Sequence, residues 1–434
     1  MSGCTSVGRL LKLGEGTVCI IILLWYLRPM TFQDLEKKFQ DLIVTIRSHG
    51  GNLIFVGGCV RDILLGQMPK DFDAEVYGLS AEKLLEVLQT VSFVKTVGKQ
   101  FGIFYLLKQR IEVALPRKEN KIGKGHKGFN IIIAPNISFK EASSRRDVTI
   151  NSMGYNPKTG ELLDPWNGKK DLEERMLRAT NPKTFGEDPL RALRIAQFVA
   201  RFQMQVDPLL QRLCSEQDLS ELPKERLLEE MRKLLIQGVR PSQGFLFLQQ
   251  AHLLRFFPTL ILKELTLTQI DKGASSSKKT FSFMLAILTR SLTSEARDAF
   301  LHQLGVSKKI ETEVSLYHQA SVLLEKSAGR EGYSYRCVAA LWYENHPTLE
   351  DLVPFLEIVY PACNISFELE RHKAFDSEKI RPIMKGRHLL QWAETIPKDR
   401  FSSILRECHV LQLKEGLGDA REIWHRWQEN HRDS

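Results

Sequence analysis

The stretch Val56 to Asp73 reads VGGCVRDILLGQMPKDFD, and its reading decides how the rest of the chain is understood. Asn52 to Val56 is a short apolar run. It ends at Gly57-Gly58, after which Val60, Ile63 and Leu64 recur at helical spacing, so the segment reads as strand, tight turn and helix. Gly58 lets backbone approach a ligand closely, and the exposed N–H groups at a helix start favour an anion. Arg61, in the first turn, is placed to reach a phosphate bound there. After a turn at Gly66 to Pro69, the run Asp71-Phe72-Asp73-Ala74-Glu75-Val76 alternates as a strand does. Residues i and i+2 of a strand share a face, so Asp71 and Asp73 offer two hard oxygen ligands suited to Mg2+ bridging a nucleotide's phosphates.

A Gly-Gly turn alone is usually only a turn, and a lone D-x-D is mostly surface. Here both stand on adjacent elements with Arg61 between them. The string GGCVRDILLG followed by KDFD resembles the signature of the nucleotidyltransferase superfamily that contains class II tRNA nucleotidyltransferases (CCA-adding enzymes) and bacterial poly(A) polymerases. The resemblance implies an α+β protein. Its N-terminal nucleotidyltransferase head, polymerase-β-like, carries a small mixed sheet and helices, and an all-α neck, body and tail follow.

At 434 residues the chain has room for two to four domains. Its 43% hydrophobic and 26% charged content is that of an ordinary soluble globular protein. The net charge of +9 favours a polyanionic partner such as nucleic acid. The seven cysteines are scattered without C-x-x-C spacing, which argues for reduced thiols in a cytoplasmic setting and against a zinc module. Val18 to Leu27, VCIIILLWYL, is ten apolar residues, too short to span a bilayer, and no small-residue cleavage pattern follows it. Residues 1–30 are expected to be a dispensable extension, with translation starting at Met30.

From Thr31, Phe32, Leu35, Phe39, Leu42, Ile43 and Ile46 predict one amphipathic helix. Ala81 to Leu88 reads as another helix, and Thr96 to Leu107 with Arg110 to Leu115 as the strands of a hairpin. Glu112 lies on the second of these strands. Polymerases of the superfamily often place a third carboxylate on such a strand, either to deprotonate the attacking hydroxyl or to bind metal; Glu75, on the same strand face as Asp73, competes for that role. Arg117 to Lys127 is basic and glycine-rich, a loop expected near phosphates. Gly123 to Gly128 formally matches G-x-G-x-x-G, but a β-like run, Asn130 to Ile133, follows where a dinucleotide-binding fold would start a helix. By resemblance the segment is the flexible loop of tRNA nucleotidyltransferases. Arg145-Arg146-Asp147 matches the family's R-R-D motif residue for residue. The resemblance implies that Arg146 contacts the incoming nucleotide, with Asp147 orienting it. Leu163 to Gly168 resembles a structural connection of the family.

The run Glu187 to Arg194, EDPLRALR, follows. Pro189 suits the first turn of a helix whose core side is Leu190, Leu193, Ile195, Phe198 and Phe202. Asp188, Arg191 and Arg194 are three apart and sit near one another on its surface; such pairs are commonly plain ion pairs. An Asp–Arg pair also has a chemical use. Cytosine and adenine each present an amino donor beside a ring-nitrogen acceptor, which a carboxylate and a guanidinium complement, whereas uracil and guanine present the reverse. The family's E-D-x-x-R motif, the protein template of class II CCA-adding enzymes, is matched by Glu187, Asp188 and Arg191. Gly186 stands where poly(A) polymerases typically carry an arginine, so the string resembles the bacterial CCA-adding form.

Beyond Phe202 the spacing is helical throughout, with Lys272 to Lys279 expected as a linker. The expected domains are 31–180 head, 181–270 neck and 280–434 body and tail, the last gripping tRNA through its phosphates. No His-Asp dipeptide occurs, so the phosphohydrolase module of some bacterial relatives is not expected. The implied reaction is template-independent addition of CCA to tRNA from CTP and ATP. It would use Mg2+ on Asp71 and Asp73, triphosphate contacts from Gly58, Arg61 and Arg146, and base selection by Asp188 and Arg191 supported by Arg194. No membrane association is expected. The rivals are a poly(A) polymerase, a partial CC- or A-adding enzyme, and a catalytically silent RNA-binding protein.

Overall fold

The computed structural model describes residues 29–98, 102–121, 129–326, 338, 351–363, 365, 382–392 and 396–431. They fall into two units, one comprising the chain to Asp188 with Gln205–Leu213, the other Pro189–Met204 with the chain from Cys214 onward. The expected extension, residues 1–30, lies outside the described residues except for its last two positions.

In the first unit, α1 (Phe32–Lys38) and α2 (Gln40–Ser48) precede β1 (Asn52–Val56), α3 (Gly58–Leu64) and β2 (Phe72–Tyr77). Then come α4 (Ala81–Val91), β3 (Val94–Gly98), β4 (Ile103–Leu106) and β5 (Ile111–Ala114), and later α5 (Phe139–Ser143), β8 (Gly154–Asn156) and β9 (Glu161–Leu163). Strands β1 to β5, β8 and β9 form a seven-stranded mixed sheet in the order β3-β4-β5-β2-β1-β8-β9. The β2–β5 pair is parallel, and β1 is antiparallel to both β2 and β8. Alternation divides β2 in two. Phe72, Ala74 and Val76 face a core in which the Phe39 ring lies 5.5 Å from Phe55 and 5.1 Å from Phe72. Asp73, Glu75 and Tyr77 occupy the other face. The apolar side thus fixes the register, and the register fixes where the carboxylates stand.

Local geometry departs from the sequence reading in several places. The single helix expected over Phe32 to Ile46 is two, broken at Phe39 (φ −112°, ψ 20°), whose ring is drawn into the core; a Thr31–Asp34 capping box starts the first. The strand expected over Thr96 to Leu107 is two, β3 and β4, with a register shift between Thr96 and Gly98. Of the basic segment, Arg117–Lys121 (β6) pairs antiparallel with Phe129–Ile133 (β7); residues 122–128 lie outside the described residues. The connection Leu163 to Gly168 serves structure: Asp164 accepts from the backbone N–H groups of Gly168 (2.7 Å) and Lys169 (2.9 Å), at the start of α6, Gly168–Glu173.

The second unit is helical. α7 (Leu190–Phe202) packs with α9 (Lys224–Gln237) and α10 (Pro241–Gln250); α8 (Pro208–Ser215) falls mostly in the first unit. α11 (Glu264–Ala274) runs through the first residues of the expected linker, because Gly273 lies flat against Ile287 and Met284 of the wholly buried α12 (Phe281–Leu288). α13 (Ser294–Leu304), α14 (Lys308–Lys326) and α15 (Leu352–Val359) follow, with Phe283, Tyr317 and Phe355 mutually packed at 4.6–6.1 Å between ring centroids. Near the C-terminus, α16 (Gly386–Trp392), α17 (Phe401–Glu415) and α18 (Ala420–Asn430) enclose a small core of Met384, Leu389, Ile404, Cys408, Ile423 and Trp424.

Candidate active site

The parallel pairing of β2 with β5 sets Asp73 directly opposite Glu112, and Asp71 stands one residue before β2 begins. Burial, with the negative charges of Glu112, Asp71 and Glu75, raises the Asp73 carboxyl to about 6, while Arg146 acts in the opposite direction. A carboxylate crowded by others lacks positive charge, and a divalent cation is the group that supplies it. Among the described residues no three His, Cys, Asp or Glu side chains gather closely enough to chelate an ion unaided. Asp71 and Asp73 offer hard oxygen donors, the kind of which a Mg2+ ion takes one or two while completing its shell with water and substrate phosphate. The donor set therefore fits a divalent ion.

The Gly-Gly turn carries a feature the sequence reading missed. Gly57 sits at φ +72°, ψ −129°, and a Cβ there would lie 2.6 Å from Nη1 of Arg146. Gly57, rather than Gly58, is thus the position whose conformation favours glycine, and a Cβ there would press on the Arg146 guanidinium. Gly58 opens α3, and a Cβ on it would stand 3.5 Å from Arg61.

Arg61 differs from the expectation that it reaches a phosphate. Its side chain is 5% exposed. Nε and Nη2 donate to Asp62 Oδ1 at 2.9 and 2.7 Å, and Nη1 donates to Asn151 Oδ1. A guanidinium in an almost wholly buried helix requires buried acceptors, and here they tie α3 to the segment that follows Arg146.

Arg146 donates from Nη1 to the Asn151 carbonyl (2.9 Å) and from Nη2 to Glu75 Oε1 (3.0 Å). Its buried Nε makes no hydrogen bond among the described residues. Asp147 accepts from the backbone N–H of Val148 (2.8 Å) and from Asn151 Nδ2 (3.2 Å), and Asn151 in turn accepts from Arg146 on its carbonyl. Asn151, at the end of the 3-10 turn Thr149–Asn151, is a hub that spacing alone did not reveal. Glu75 is turned to the arginines, accepting on Oε1 from Arg145 (3.3 Å) and Arg146 and on Oε2 from Tyr77 (2.8 Å). Burial favours its neutral form, but Arg146 and Arg145 outweigh that and hold the carboxyl below its ordinary range. Of the two candidates for a third carboxylate, Glu112 is the one opposite Asp73.

The remaining candidates lie at the start of α7. Asp188 is extended (φ −123°, ψ 103°) just before the N-cap Pro189. Arg191 is buried in the first turn. Arg194, one turn on, lies 3.9 Å from Glu230 and over the Phe198 ring at 5.4 Å, braced within the helical unit.

Residues 53–178 match the family described as the poly A polymerase head domain. A multifunctional CCA protein of Pseudomonas fluorescens is 41% identical over 189 residues, covering 42% of this chain and 44% of that protein. One of Ralstonia nicotianae is 36% identical over 231 residues, 51% and 52% respectively. The chain thus spans about half the length of the curated relatives it matches. Two solved structures share the fold over 91% of this chain. They are the Bacillus stearothermophilus CCA-adding enzyme in complex with CTP (TM-score 0.71, 19% identity, 98% of that chain) and the Thermotoga maritima CCA-adding enzyme complexed with tRNA (0.64, 20%, 95%).

Proposed function

We propose, from a segment, residues 53–178, that matches the poly A polymerase head domain, that this chain is a tRNA nucleotidyltransferase adding C, C and A to tRNA 3′ ends from CTP and ATP without a nucleic-acid template. The observation that carries the reading is the carboxylate set, Asp73 opposite Glu112 with Asp71 alongside and Arg146 close enough to act on the Asp73 charge. The curated relatives named multifunctional CCA proteins support it.

Asp71 and Asp73 would hold Mg2+, and the ion would supply positive charge that favours ionisation of the attacking 3′-hydroxyl and neutralises the pyrophosphate. Glu112 either accepts the hydroxyl proton or completes the acidic set. Arg146 holds the triphosphate over the Gly57-Gly58 turn, with Arg61 bracing that turn from within. Asp188 accepts from the amino group of cytosine or adenine while Arg191 donates to the adjacent ring nitrogen, and Arg194 steadies the helix that carries Arg191. Residues 31–180 form the catalytic head, 181–270 the neck, and 280–434 a body and tail that bind tRNA phosphates. Among the described residues no helix is long and apolar enough to cross a membrane, and the four described cysteines are free thiols. The cysteines, scattered without C-x-x-C spacing, support a cytoplasmic setting.

The test is Asp71→Ala. Transfer of labelled CMP and AMP to tRNA should fall by about a thousandfold or more, with circular dichroism and the unfolding midpoint unchanged. Substantial Mg2+-dependent transfer by that variant overturns the assignment.

A further inference from the structure

We infer that Glu75 is a positioning residue that fixes Arg146 at a set place relative to Asp73, and so governs binding of the nucleotide's phosphates, rather than serving as a third carboxylate at the metal. The inference rests on the reading of this site given above and deepens it.

Four observations carry it. Asp73, Glu75 and Tyr77 share one face of β2, so Glu75 stands about 7 Å along a rigid strand from Asp73. Both Glu75 oxygens are committed, Oε1 to Arg145 and Arg146 and Oε2 to the Tyr77 hydroxyl at 2.8 Å. Its side chain is 2% exposed, leaving no open face for an ion. The Arg146 guanidinium also donates to the Asn151 carbonyl at 2.9 Å, and it lies where a Cβ at Gly57 would be 2.6 Å from Nη1.

The charges explain why a carboxylate is used. One negative charge shared by two guanidiniums leaves a surplus of positive charge, which suits a polyphosphate, while preventing the two arginines from repelling one another. The Tyr77 hydroxyl stops the carboxylate from rotating. With Glu75→Gln the two guanidiniums face each other unneutralised, and Arg146 leaves its seat.

The experiment measures equilibrium binding of CTP and ATP without tRNA, and separately kcat, KM and the Mg2+ concentration giving half-maximal rate. The proteins are wild type, Glu75→Gln, Glu75→Asp, Tyr77→Phe, Arg146→Ala and the Glu75→Gln/Arg146→Ala double variant. Glu75→Gln should raise the nucleotide Kd and KM roughly tenfold or more, the usual loss when an orienting outer partner is removed. Half-saturation by Mg2+ should not move, and the double variant should be no worse than Arg146→Ala alone. Glu75→Asp, which keeps the charge, should recover part of the loss. Tyr77→Phe should shift KM in the same direction by roughly two- to tenfold, which tests the idea even if Glu75→Gln folds poorly. A shifted Mg2+ requirement with unchanged nucleotide KM, or losses that add in the double variant, overturns the inference. Should wild type bind neither nucleotide, the reading of the site itself falls; should wild type bind and Glu75→Gln bind equally well, only the role of Glu75 falls.

Discussion

Asp73 and His318 show the two ways in which this protein buries a titratable side chain. Asp73 stays beside Glu112 and Asp71 at a cost to folding, because burial and like charge both oppose its ionised form. His318 is buried for packing. Its Nε2 lies 3.1 Å from the Thr289 hydroxyl, and burial, with the positive charges of Arg297 and Arg290, pushes its pKa down to about 3 from the ordinary 6.5. Below pH 6.5 the unfolded chain takes up a proton that the folded chain refuses. The stability His318 contributes is therefore present above 6.5 and is lost as pH falls from there toward about 3. The slope is about 1.4 kcal/mol per pH unit. Unfolding free energies of wild type and His318→Gln should converge by that slope as pH is lowered; parallel profiles would contradict it. Single residues were legible where a local motif carried them: Asp71, Asp73 and the Arg145-Arg146-Asp147 run stand out in the string. The neighbouring positions of Asp73 and Glu112 did not, because a parallel ladder joins strands far apart in sequence. Gly57, Asn151 and Tyr77 were missed because their roles exist only through contacts across the fold.

Among elements, α7 carries Arg191 and Arg194, and its placement depends on how closely α10 approaches it. At Gly244 of α10 a Cβ would lie 2.7 Å from the Ala196 carbonyl oxygen and 3.1 Å from the Ala200 Cβ. Backbone cannot yield as a flexible side chain can. Gly244→Ala should destabilise the protein by about 1–3 kcal/mol through overpacking, although alanine is the better helix former by about 1 kcal/mol; a denaturant midpoint equal to or above wild type would contradict this. Helices such as α7 and α9 were readable from three-four apolar spacing. Their ends were less so: the run into α11 continued through Gly273 because a close helix crossing rewards a missing side chain, and the first helix broke at Phe39 because the core claimed its ring. Strands β3 and β4, which pair antiparallel, were merged in the sequence reading, since alternation carries no sign of chain direction.

At the scale of the molecule, charge and architecture point the same way. A net charge of +9 favours a polyanion, and the α+β head followed by helices is the architecture the opening motif implied. The fold class was legible because one motif brings a known head with it. The head was expected to end at residue 180; the first unit runs to Asp188 and also takes in Gln205–Leu213, a return that no change in composition marks. The central claim is that the head writes and that Asp188 and Arg191 choose the letters. The most direct measurement incubates the pure protein with Mg2+ and tRNAs ending at the discriminator base, at C or at CC, supplies CTP and ATP separately and together, and sequences the products. Every substrate should be completed to CCA and no further, with CTP alone extending the first two and ATP alone extending only the tRNA ending in CC. Long A tails, additions of C only or of A only, or no addition at all would contradict it.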